Sequence, residues 1–432
     1  MRVLVIGGGI GGLAAALSLA EREIEVELFE QTVEVRELGV GINLLPHAVK
    51  ELAELALLEQ LDATGVRTRE LIYCNQLGQR IWTEPRGLEA GYAWPQFSIH
   101  RGRLQGLLYR AVRDRLGDHR IHLWHRLIDF EQDEQGVTAR FVGTTGAALP
   151  PWRGDLLVGA DGIHSAVRAQ LHPQEGPPRW NGHMLWRGAI RAEPFLTGAS
   201  MVIAGDLKTK VVLYPIARDT AGDDYLLTNW VVWAKLGDGS TPPPRREDWS
   251  RQGQLDEVLP HLAHWRFDDW VDVPTLVRRT TTFYEYPMCD RDPLERWGTG
   301  RVTLLGDAAH PMYPVGSNGA AQAILDGRAL ARSLVEHSDL VQDLRAYEAE
   351  RLGATSPIVL SNRQMGPEQV IDLAAMRAPQ GFDQLDNVIP RTELEEIAGR
   401  YRKVAGFERE RLSRVRPEGS SALANPPAAR NP

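Results

Sequence analysis

The first thirty residues follow a pattern of strand, turn, helix and strand. Arg2 to Ile6 is a run of β-branched residues and leucine, Leu13 to Leu19 is rich in alanine and leucine, and Val26 to Phe29 is again strand-like. A short buried strand that leads directly into a helix and then into a second strand is typical of a βαβ unit. The pattern therefore predicts an α/β fold with a parallel sheet.

The turn after the first strand carries Gly7, Gly9 and Gly12 in the spacing Gly-x-Gly-x-x-Gly. Gly7 permits the sharp turn, Gly9 lets a pyrophosphate approach the backbone, and Gly12 lets helix and strand pack closely. Glu30 ends the second strand eighteen residues after Gly12, where a carboxylate accepts hydrogen bonds from ribose hydroxyls. These features predict a Rossmann-type dinucleotide site and leave open whether it takes NAD or FAD.

A second glycine-rich turn follows a strand about three hundred residues later. The strand-like run RVTLLGD ends at Asp307, a loop with Pro314, Gly316 and Gly319 follows, and AAQAILDGRALARSLVEH has helical periodicity. A carboxylate at a strand end can bind a polyol such as the ribityl chain of FAD, and a helix N-terminus stabilises negative charge on a reduced flavin ring. An ordinary βα unit with an exposed aspartate is the alternative.

The middle of the chain has a different composition. From Pro173 to Asp290, aromatic-rich runs such as KVVLYPI and YLLTNWVVWAKL are separated by Gly, Pro and Asp clusters, which predicts a mostly antiparallel sheet. Thr392 to Arg411 forms a charged helical pattern, and the last residues, PEGSSALANPPAARNP, have a composition typical of disorder.

Charge and cysteine content narrow the class of protein. A formal net charge of −8 argues against a nucleic-acid partner, because such proteins carry basic surfaces. Cys74 and Cys289 are the two cysteines, too few and too far apart for a disulfide framework or a metal site. No apolar run reaches the roughly 18 residues of a membrane span. We expect a cytoplasmic protein without metal or membrane partner, as a monomer or homodimer.

Two further motifs give these turns a family context. Together with SIHRGRLQGLL (Ser98 to Leu108) and DLLVGADGIHSAVR (Asp155 to Arg168), the sequence resembles the FAD-dependent aromatic hydroxylases of the para-hydroxybenzoate hydroxylase type, from residue 1 to about 365. The segments LGVGIN, MYPVGSNGAAQAILD and YPMCDRDPL are similar to the flavin hydroxylases of phenazine biosynthesis within that family.

The resemblance implies a division of the chain into interleaved domains. It implies a discontinuous FAD-binding domain of residues 1–75, 97–172 and 290–365, a mostly antiparallel substrate domain of residues 76–96 and 173–289, a C-terminal helical segment of residues 366–415 and a disordered tail of residues 416–432.

The resemblance also implies roles for individual residues. Arg101 would contact FAD phosphate or ribityl oxygens, the backbone of Leu127 would meet the adenine, and Asp161 would serve the pyrophosphate and the use of nicotinamide coenzyme. The full set implied for the cofactor is Gly7, Gly9, Gly12, Glu30, Asn43, Arg101, Gln105, Leu127, Asp161, Asp307 and Gly319.

The catalytic end involves a loop and a sheet. The loop from Pro314 to Gly319 would hold the flavin ring, with roles for Pro314, Gly316 and Asn318; many relatives have Gly-Gln-Gly where this loop has Gly316-Ser317-Asn318-Gly319, so the shorter amide of Asn318 departs from the family pattern. In the sheet, Trp186 to Gly188, Tyr214-Pro215 and Tyr286 to Met288 are expected to face the substrate, with Arg187 meeting an anionic group and Tyr214 lining the pocket. His310 and His100 are interpreted as structural.

The implied function is a monooxygenase. NADH or NADPH would reduce FAD, and O2 would be used through a flavin C4a-hydroperoxide to hydroxylate a small aromatic or heteroaromatic substrate, in the phenazine-like subgroup a fused-ring acid. Two alternatives stay open: another FAD oxidoreductase of the same fold, although the halogenase and Baeyer–Villiger signatures are missing, and a non-catalytic binding protein that retains the dinucleotide fold. The sequence identifies neither the general base nor the choice between NADH and NADPH.

Overall fold

A computed structural model describes residues 1–33, 40–218, 224–245, 248, 251–263, 265, 267, 271–336 and 339–412. The strands are β1 (Arg2–Ile6), β2 (Glu25–Phe29), β3 (Gly41–Leu44), β4 (Val66–Arg67), β5 (Glu70–Asn75), β6 (Arg80–Pro85), β7 (Phe97–His100), β8 (Ile121–His122), β9 (Arg126–Asp133), β10 (Gly136–Val142), β11 (Trp152–Gly154), β12 (Leu156–Gly159), β13 (Arg179–Ala192), β14 (Ser200–Gly205), β15 (Thr209–Arg218), β16 (Leu226–Lys235), β17 (Phe283–Asp290) and β18 (Val302–Leu304). The helices are α1 (Ile10–Glu21), α2 (Pro46–Glu54), α3 (Leu58–Thr64), α4 (Arg101–Leu116), α5 (Ala166–Leu171), α6 (Leu255–Val258), α7 (Val273–Arg279), α8 (Gly319–Ser333), α9 (Leu340–Arg363), α10 (Gln369–Arg377), α11 (Arg391–Val404) and α12 (Arg409–Leu412).

A parallel sheet forms the nucleotide-binding half of the molecule. Its strands lie in the order β18, β12, β1, β2 and β8, and each neighbouring pair is parallel. Val3, Leu4 and Val5 of the central strand are fully buried, as expected for a parallel sheet that is covered on both faces. Helix α1 follows β1 directly and packs against α8. The predicted Rossmann-type α/β fold is confirmed.

A second, larger sheet lies beside the first. Its strand order is β17, β13, β16, β15, β14, β5 and β6, and its pairs are antiparallel except for β14 with β5. The mostly antiparallel sheet predicted for the middle of the chain is therefore present. It also recruits Glu70–Asn75, which lies before the predicted boundary at residue 75.

The two faces of this larger sheet bury different residues. Trp186 and Trp230 lie in one hydrophobic cluster, whereas Leu185, Val231 and Trp233 lie in another. This is the period of two that a strand imposes on its side chains. The expectation that Trp186 faces the substrate is wrong, because the strand that directs Arg187 toward the cavity turns its neighbour Trp186 away from it.

The C-terminal helices cover part of the larger sheet. Ile371 of α10 and Leu394 of α11 pack with Tyr73, Met201 and Tyr214 of the sheet. The helices therefore belong to the wall of the substrate half. The predicted helical segment is described only as far as residue 412, and the predicted disordered tail of residues 416–432 lies outside the described residues.

The described residues contain neither a membrane-spanning helix nor a metal-ligand cluster. None of the described helices has the length and apolar character to cross a bilayer, and no cluster of metal-ligating side chains occurs within the same ranges. Cys74 and Cys289 are both free thiols.

Candidate active site

A cavity of about 810 Å³ runs between the parallel sheet and the larger sheet. Fourteen of the sixteen site residues predicted from the sequence line it; the two that do not are Gly12 and Gly316. The two glycine-rich turns, almost three hundred residues apart in the chain, thus open into one space. This is the arrangement required if both turns bind one extended ligand.

Three glycines of the first turn have different structural roles. Gly7 has a φ of +115°, and a Cβ there would lie 2.3 Å from the Ala160 carbonyl oxygen. A Cβ on Gly12 would lie 2.0 Å from the Gly7 carbonyl oxygen, whereas a Cβ on Gly9 would meet no atom within 4 Å. Gly7 and Gly12 are therefore required by packing, and Gly9 keeps open a space at the start of α1.

Glu30 and Gln105 hold the peptide groups of this turn. The Gly8 amide donates to Glu30 Oε2 at 2.7 Å, and Glu30 Oε1 accepts from the Thr32 amide at 2.8 Å. Gln105 Nε2 donates to the Gly8 carbonyl at 2.8 Å. Both side chains line the cavity, so they fix the turn and also face the space beside it.

Asp307 and Arg101 are the charged pair at the centre of the cavity. Both side chains are exposed on the wall of the cavity. Desolvation by the surrounding protein raises the pKa of Asp307, and the electrostatic effects of His310 and Arg101 act in the opposite direction. Burial likewise lowers the pKa of Arg101, partly offset by Asp307. Such charges need polar partners, and a bound polyol or phosphate would supply them.

Asp161 has a structural partner as well as a position in the cavity. Its carboxylate accepts hydrogen bonds from the Ser165 hydroxyl and from the Ala166 amide at 2.7 Å, at the start of α5. Burial is the main cause that raises the pKa of Asp161. The side chain thus fixes the loop that borders the middle of the cavity.

Leu127 and Asn43 line the same cavity from different strands. Leu127 lies on β9, next to Arg126 and His125, which also line it. Asn43 lies on β3, where its Oδ1 accepts from the Ser98 hydroxyl at 2.7 Å and its Nδ2 lies 3.4 Å from Ser317 Oγ. Asn43 therefore contacts the second glycine-rich loop directly.

That loop lies between the cavity and α11. Gly316 has a φ of +65°, and a Cβ there would lie 2.0 Å from Tyr401 Oη. Pro314, Asn318 and Gly319 line the cavity, and a Cβ on Gly319 would meet no atom within 4 Å. As at Gly9, a glycine at the start of a long helix leaves room for a ligand.

Arg187 and Tyr214 converge on one backbone group. Arg187 Nη2 and Tyr214 Oη donate to the Gly41 carbonyl at 2.6 and 2.8 Å, and Arg187 Nη1 donates to Tyr286 Oη at 2.7 Å. Burial raises the pKa of Tyr214 to about 12, so the phenol stays protonated. Among the described residues, no carboxylate forms an ion pair with Arg187, so its positive charge is available to an anion.

His310 and His100, which were interpreted as structural, do not line the cavity. His310 Nε2 pairs with Asp326 Oδ2 at 2.6 Å, with both side chains buried. His100 is the N-cap of α4 and accepts from the Arg103 amide. Their positions agree with structural roles, and the partner of His310 is a buried carboxylate.

Several residues of the site lack a signal in the local sequence. Gly41 receives the bonds from Arg187 and Tyr214, and its amide donates to Asn229 Oδ1 at 2.7 Å. Glu368 lines the cavity, and Tyr401 contacts the loop beneath it. Of these three residues, Gly41 is the one whose residue type is explained by its position. A Cβ at position 41 would overlap Tyr214 and Ile216, so only glycine fits there.

The residues that line the cavity fit FAD. The uncrowded glycine at the start of α1 suits a pyrophosphate, Glu30 lies at a strand end suited to a ribose, and Asp307 and Arg101 are charges that lack an ion-pair partner among the described residues. The aromatic wall of the larger sheet adds an apolar chamber next to these groups. The polar groups suit an extended nucleotide, and the aromatic wall suits a second, smaller ligand.

Comparison with known proteins identifies the class. The FAD binding domain family matches residues 1–198 and 243–359, and the chain belongs to that family. It is a flavin-dependent monooxygenase with FAD as its cofactor and a nicotinamide coenzyme and O2 as co-substrates, which confirms the predicted enzyme class and cofactors.

Particular relatives cover most of the chain. It is 47% identical over 365 residues to phenazine 1,6-dicarboxylic acid hydroxylase PhzS of Lysobacter antibioticus, covering 84% of this chain and 89% of that protein. It is 31% identical over 384 residues to 3-hydroxybenzoate 6-hydroxylase of Klebsiella oxytoca, covering 85% and 88%. Among solved structures, a salicylate hydroxylase substrate complex has a TM-score of 0.72 at 23% identity, covering 98% of this chain and 99% of that one. The predicted resemblance to aromatic hydroxylases is confirmed.

Proposed function

We propose that this monooxygenase hydroxylates a fused-ring heteroaromatic carboxylic acid of the phenazine class. The observation that carries the proposal is an apolar, aromatic chamber that contains an arginine without a carboxylate partner among the described residues. Trp233, Tyr286 and Tyr214 supply aromatic surface to the chamber, and Arg187 supplies the charge. The identity to the phenazine 1,6-dicarboxylic acid hydroxylase supports the same substrate class.

The cofactor residues would bind successive parts of FAD. Glu30 and Leu127 would hold the adenosine half, and Asp307 with Arg101 would hold the ribityl region. Gly9 would admit the pyrophosphate at a turn whose shape depends on Gly7 and Gly12. The loop of Pro314, Gly316, Asn318 and Gly319 would lie beside the redox ring, with Asn43 supporting it. These roles are supported because all of these residues except Gly12 and Gly316 line one cavity.

The residues divide the work of the reaction between binding and shielding. Bound FAD supplies electron transfer from the nicotinamide coenzyme to O2 and delivery of one oxygen atom to the aromatic ring. Arg187 would orient the substrate through its carboxylate, and the aromatic wall would exclude water from the reacting centre. Tyr214 keeps its proton at neutral pH, so it would act as a hydrogen-bond donor to Gly41 and not as a base.

A substrate screen tests the proposal. NADH or NADPH consumption by the FAD-loaded protein is measured with phenazine-1,6-dicarboxylic acid, with phenazine-1-carboxylic acid and with 3-hydroxybenzoate, and products are identified by mass. We expect the phenazine acids to stimulate consumption and to gain oxygen. Turnover restricted to the monocyclic acid would contradict the fused-ring assignment while leaving the enzyme class intact.

A further inference from the structure

Tyr401 connects the C-terminal helix α11 to the second glycine-rich loop. Its hydroxyl accepts a hydrogen bond from Asn318 Nδ2 at 2.9 Å. The same oxygen lies 3.2 Å from the Val315 carbonyl and 3.0 Å from Asn362 Oδ1, the two acceptors for its own proton. The side chain is 4% exposed, and burial raises the pKa of Tyr401, so the hydroxyl keeps the proton that this network needs.

The backbone of the loop is shaped around this hydroxyl. Gly316 and Ser317 have φ angles of +65° and +59°, a region that side chains rarely adopt. No residue other than glycine fits at 316, because a Cβ would overlap Tyr401 Oη. The loop and the tyrosine therefore form one packed unit.

The contact also determines what the Asn318 side chain does. Asn318 is the N-cap of α8, a position where asparagine ordinarily accepts a hydrogen bond from one of the first helical amides. Here it makes no such cap. Its Nδ2 donates to Tyr401 and to the Gly316 carbonyl at 3.2 Å, and its Oδ1 lies 3.4 Å from Gln322 Nε2.

The first turn of α8 thus keeps its amides free of a side-chain cap. Gly319 and Ala320, the first two residues of the helix, both line the cavity. The N-terminus of a helix of 15 residues carries partial positive charge that stabilises a nearby anion. A flavin ring gains negative charge when it is reduced.

We propose that Tyr401 is a positioning residue for the redox ring: it holds Asn318 away from the N-cap of α8 and so keeps the first amides of that helix available to the ring. The inference rests on the proposed placement of the loop beside the flavin. Tyr401 lies beyond residue 359, where the match to the FAD binding domain family ends, so it is a feature of this chain's C-terminal segment.

Tyr401→Phe removes the hydroxyl and keeps the aromatic packing. Asn318 is then free to cap α8, and the helix loses part of its interaction with the reduced ring. We expect roughly three- to tenfold weaker binding of reduced relative to oxidised FAD, measured as a shift of the flavin midpoint potential by about 15 to 30 mV to more negative values. Binding of oxidised FAD, measured by fluorescence titration, should change less.

Tyr92→Phe is the matched control. The Tyr92 hydroxyl donates to the Phe407 carbonyl at 2.7 Å and packs in the same cluster as Tyr401. The Tyr92→Phe substitution therefore weakens the packing of the C-terminal segment and leaves the second glycine-rich loop unchanged. We expect this variant to have the flavin midpoint potential of the wild type. An equal shift in Tyr92→Phe would show that Tyr401→Phe acts through the segment as a whole and would overturn the proposal.

A double-mutant comparison tests the route through Asn318. In the Asn318→Ala background no side chain can cap α8, so adding Tyr401→Phe should cause no further shift of the potential. A shift of the same size in both backgrounds would overturn the proposal, as would an unchanged potential in Tyr401→Phe alone. Because the readout is a potential, it is independent of which aromatic acid the enzyme hydroxylates, and failure of the substrate assignment is recognised separately in the turnover screen.

Discussion

Among single residues, Asp307 is the one whose carboxylate most needs a bound ligand. Its carboxylate faces the cavity at a position where burial raises its pKa, which is costly unless a ligand hydroxyl binds it. Asp307→Asn keeps the shape and removes the charge, and we expect about ten- to a hundredfold weaker FAD binding, since hydrogen bonds to a charged group contribute roughly 1.5–3 kcal/mol. Fluorescence titration measures the affinity.

The control for Asp307 is an aspartate in an ordinary surface pair. Asp62 pairs with Arg67 at 2.6 Å on the molecule's surface, and Asp62→Asn should bind FAD like the wild type. Full FAD affinity in Asp307→Asn would remove this carboxylate from the cofactor site.

Glu368 gives a prediction about pH. Burial raises the pKa of Glu368 from 4.5 to about 7. The folded protein therefore binds the proton more tightly than the unfolded chain, and stability falls as the pH rises from 4.5 through 7, by about 3 kcal/mol in total. Glu368→Gln keeps the shape of the side chain and cannot ionise.

The test of Glu368 is the free energy of unfolding by urea at pH 5 and pH 8. We expect the wild type to lose about 2 to 3 kcal/mol more than Glu368→Gln between these values. The same pH dependence in both proteins would contradict the assignment of a neutral, buried carboxyl.

Which residues could be predicted depends on how far their partners lie along the chain. Glu30 and Asp307 each lie where a strand ends beside a glycine-rich turn, so their positions in the cavity could be inferred from the local pattern. Arg101 was implied only by the family resemblance of the segment SIHRGRLQGLL. The position of Tyr401 could not be inferred, because its partner Asn318 is 83 residues away and a tyrosine in an amphipathic helix carries no local signal.

Among the structural elements, the first glycine-rich turn contains two kinds of glycine: one that leaves space for a ligand and one that is required by packing. A Cβ on Gly9 meets no atom within 4 Å, whereas one on Gly12 lies 2.0 Å from the Gly7 carbonyl oxygen. We expect Gly9→Ala to fold with its stability within about 0.5 kcal/mol of the wild type and to bind FAD at least tenfold more weakly. Gly12→Ala should be destabilised by about 2 kcal/mol or more, because backbone must move.

Thermal unfolding of the FAD-free proteins, together with FAD titration, distinguishes the two variants. If Gly9→Ala bound FAD normally, the space at the start of α1 would not be where the pyrophosphate lies.

The sequence pattern predicts where strands form, but it does not predict which face of the sheet each side chain lies on. The aromatic runs of the middle region predicted the larger sheet, but the triplet Trp186 to Gly188 was assigned to the substrate as a unit. A strand sends alternate side chains to opposite faces, and nothing in the triplet itself distinguishes the tryptophan that packs in the sheet's outer cluster from the arginine that enters the cavity.

At the scale of the whole molecule, the cavity exists because distant segments interleave. The parallel sheet combines β1 and β2 with β12 and β18, and the second glycine-rich turn reaches the first only through this pairing. The α/β class and the antiparallel insertion could be read from hydrophobic patterns. The pairing of β5 with β14, some 130 residues later, could not, because register between distant strands is decided by packing across the whole sheet.

The central claim is that this one cavity binds FAD and an aromatic acid side by side and that one atom of O2 enters the acid. The most direct measurement is turnover of phenazine-1,6-dicarboxylic acid by the FAD-loaded protein with NAD(P)H under ¹⁸O2, followed by mass spectrometry of the product. We expect one ¹⁸O atom in each new hydroxyl group. Oxygen that derives from water, or coenzyme consumption that yields hydrogen peroxide and no oxygenated product with any aromatic acid, would contradict it.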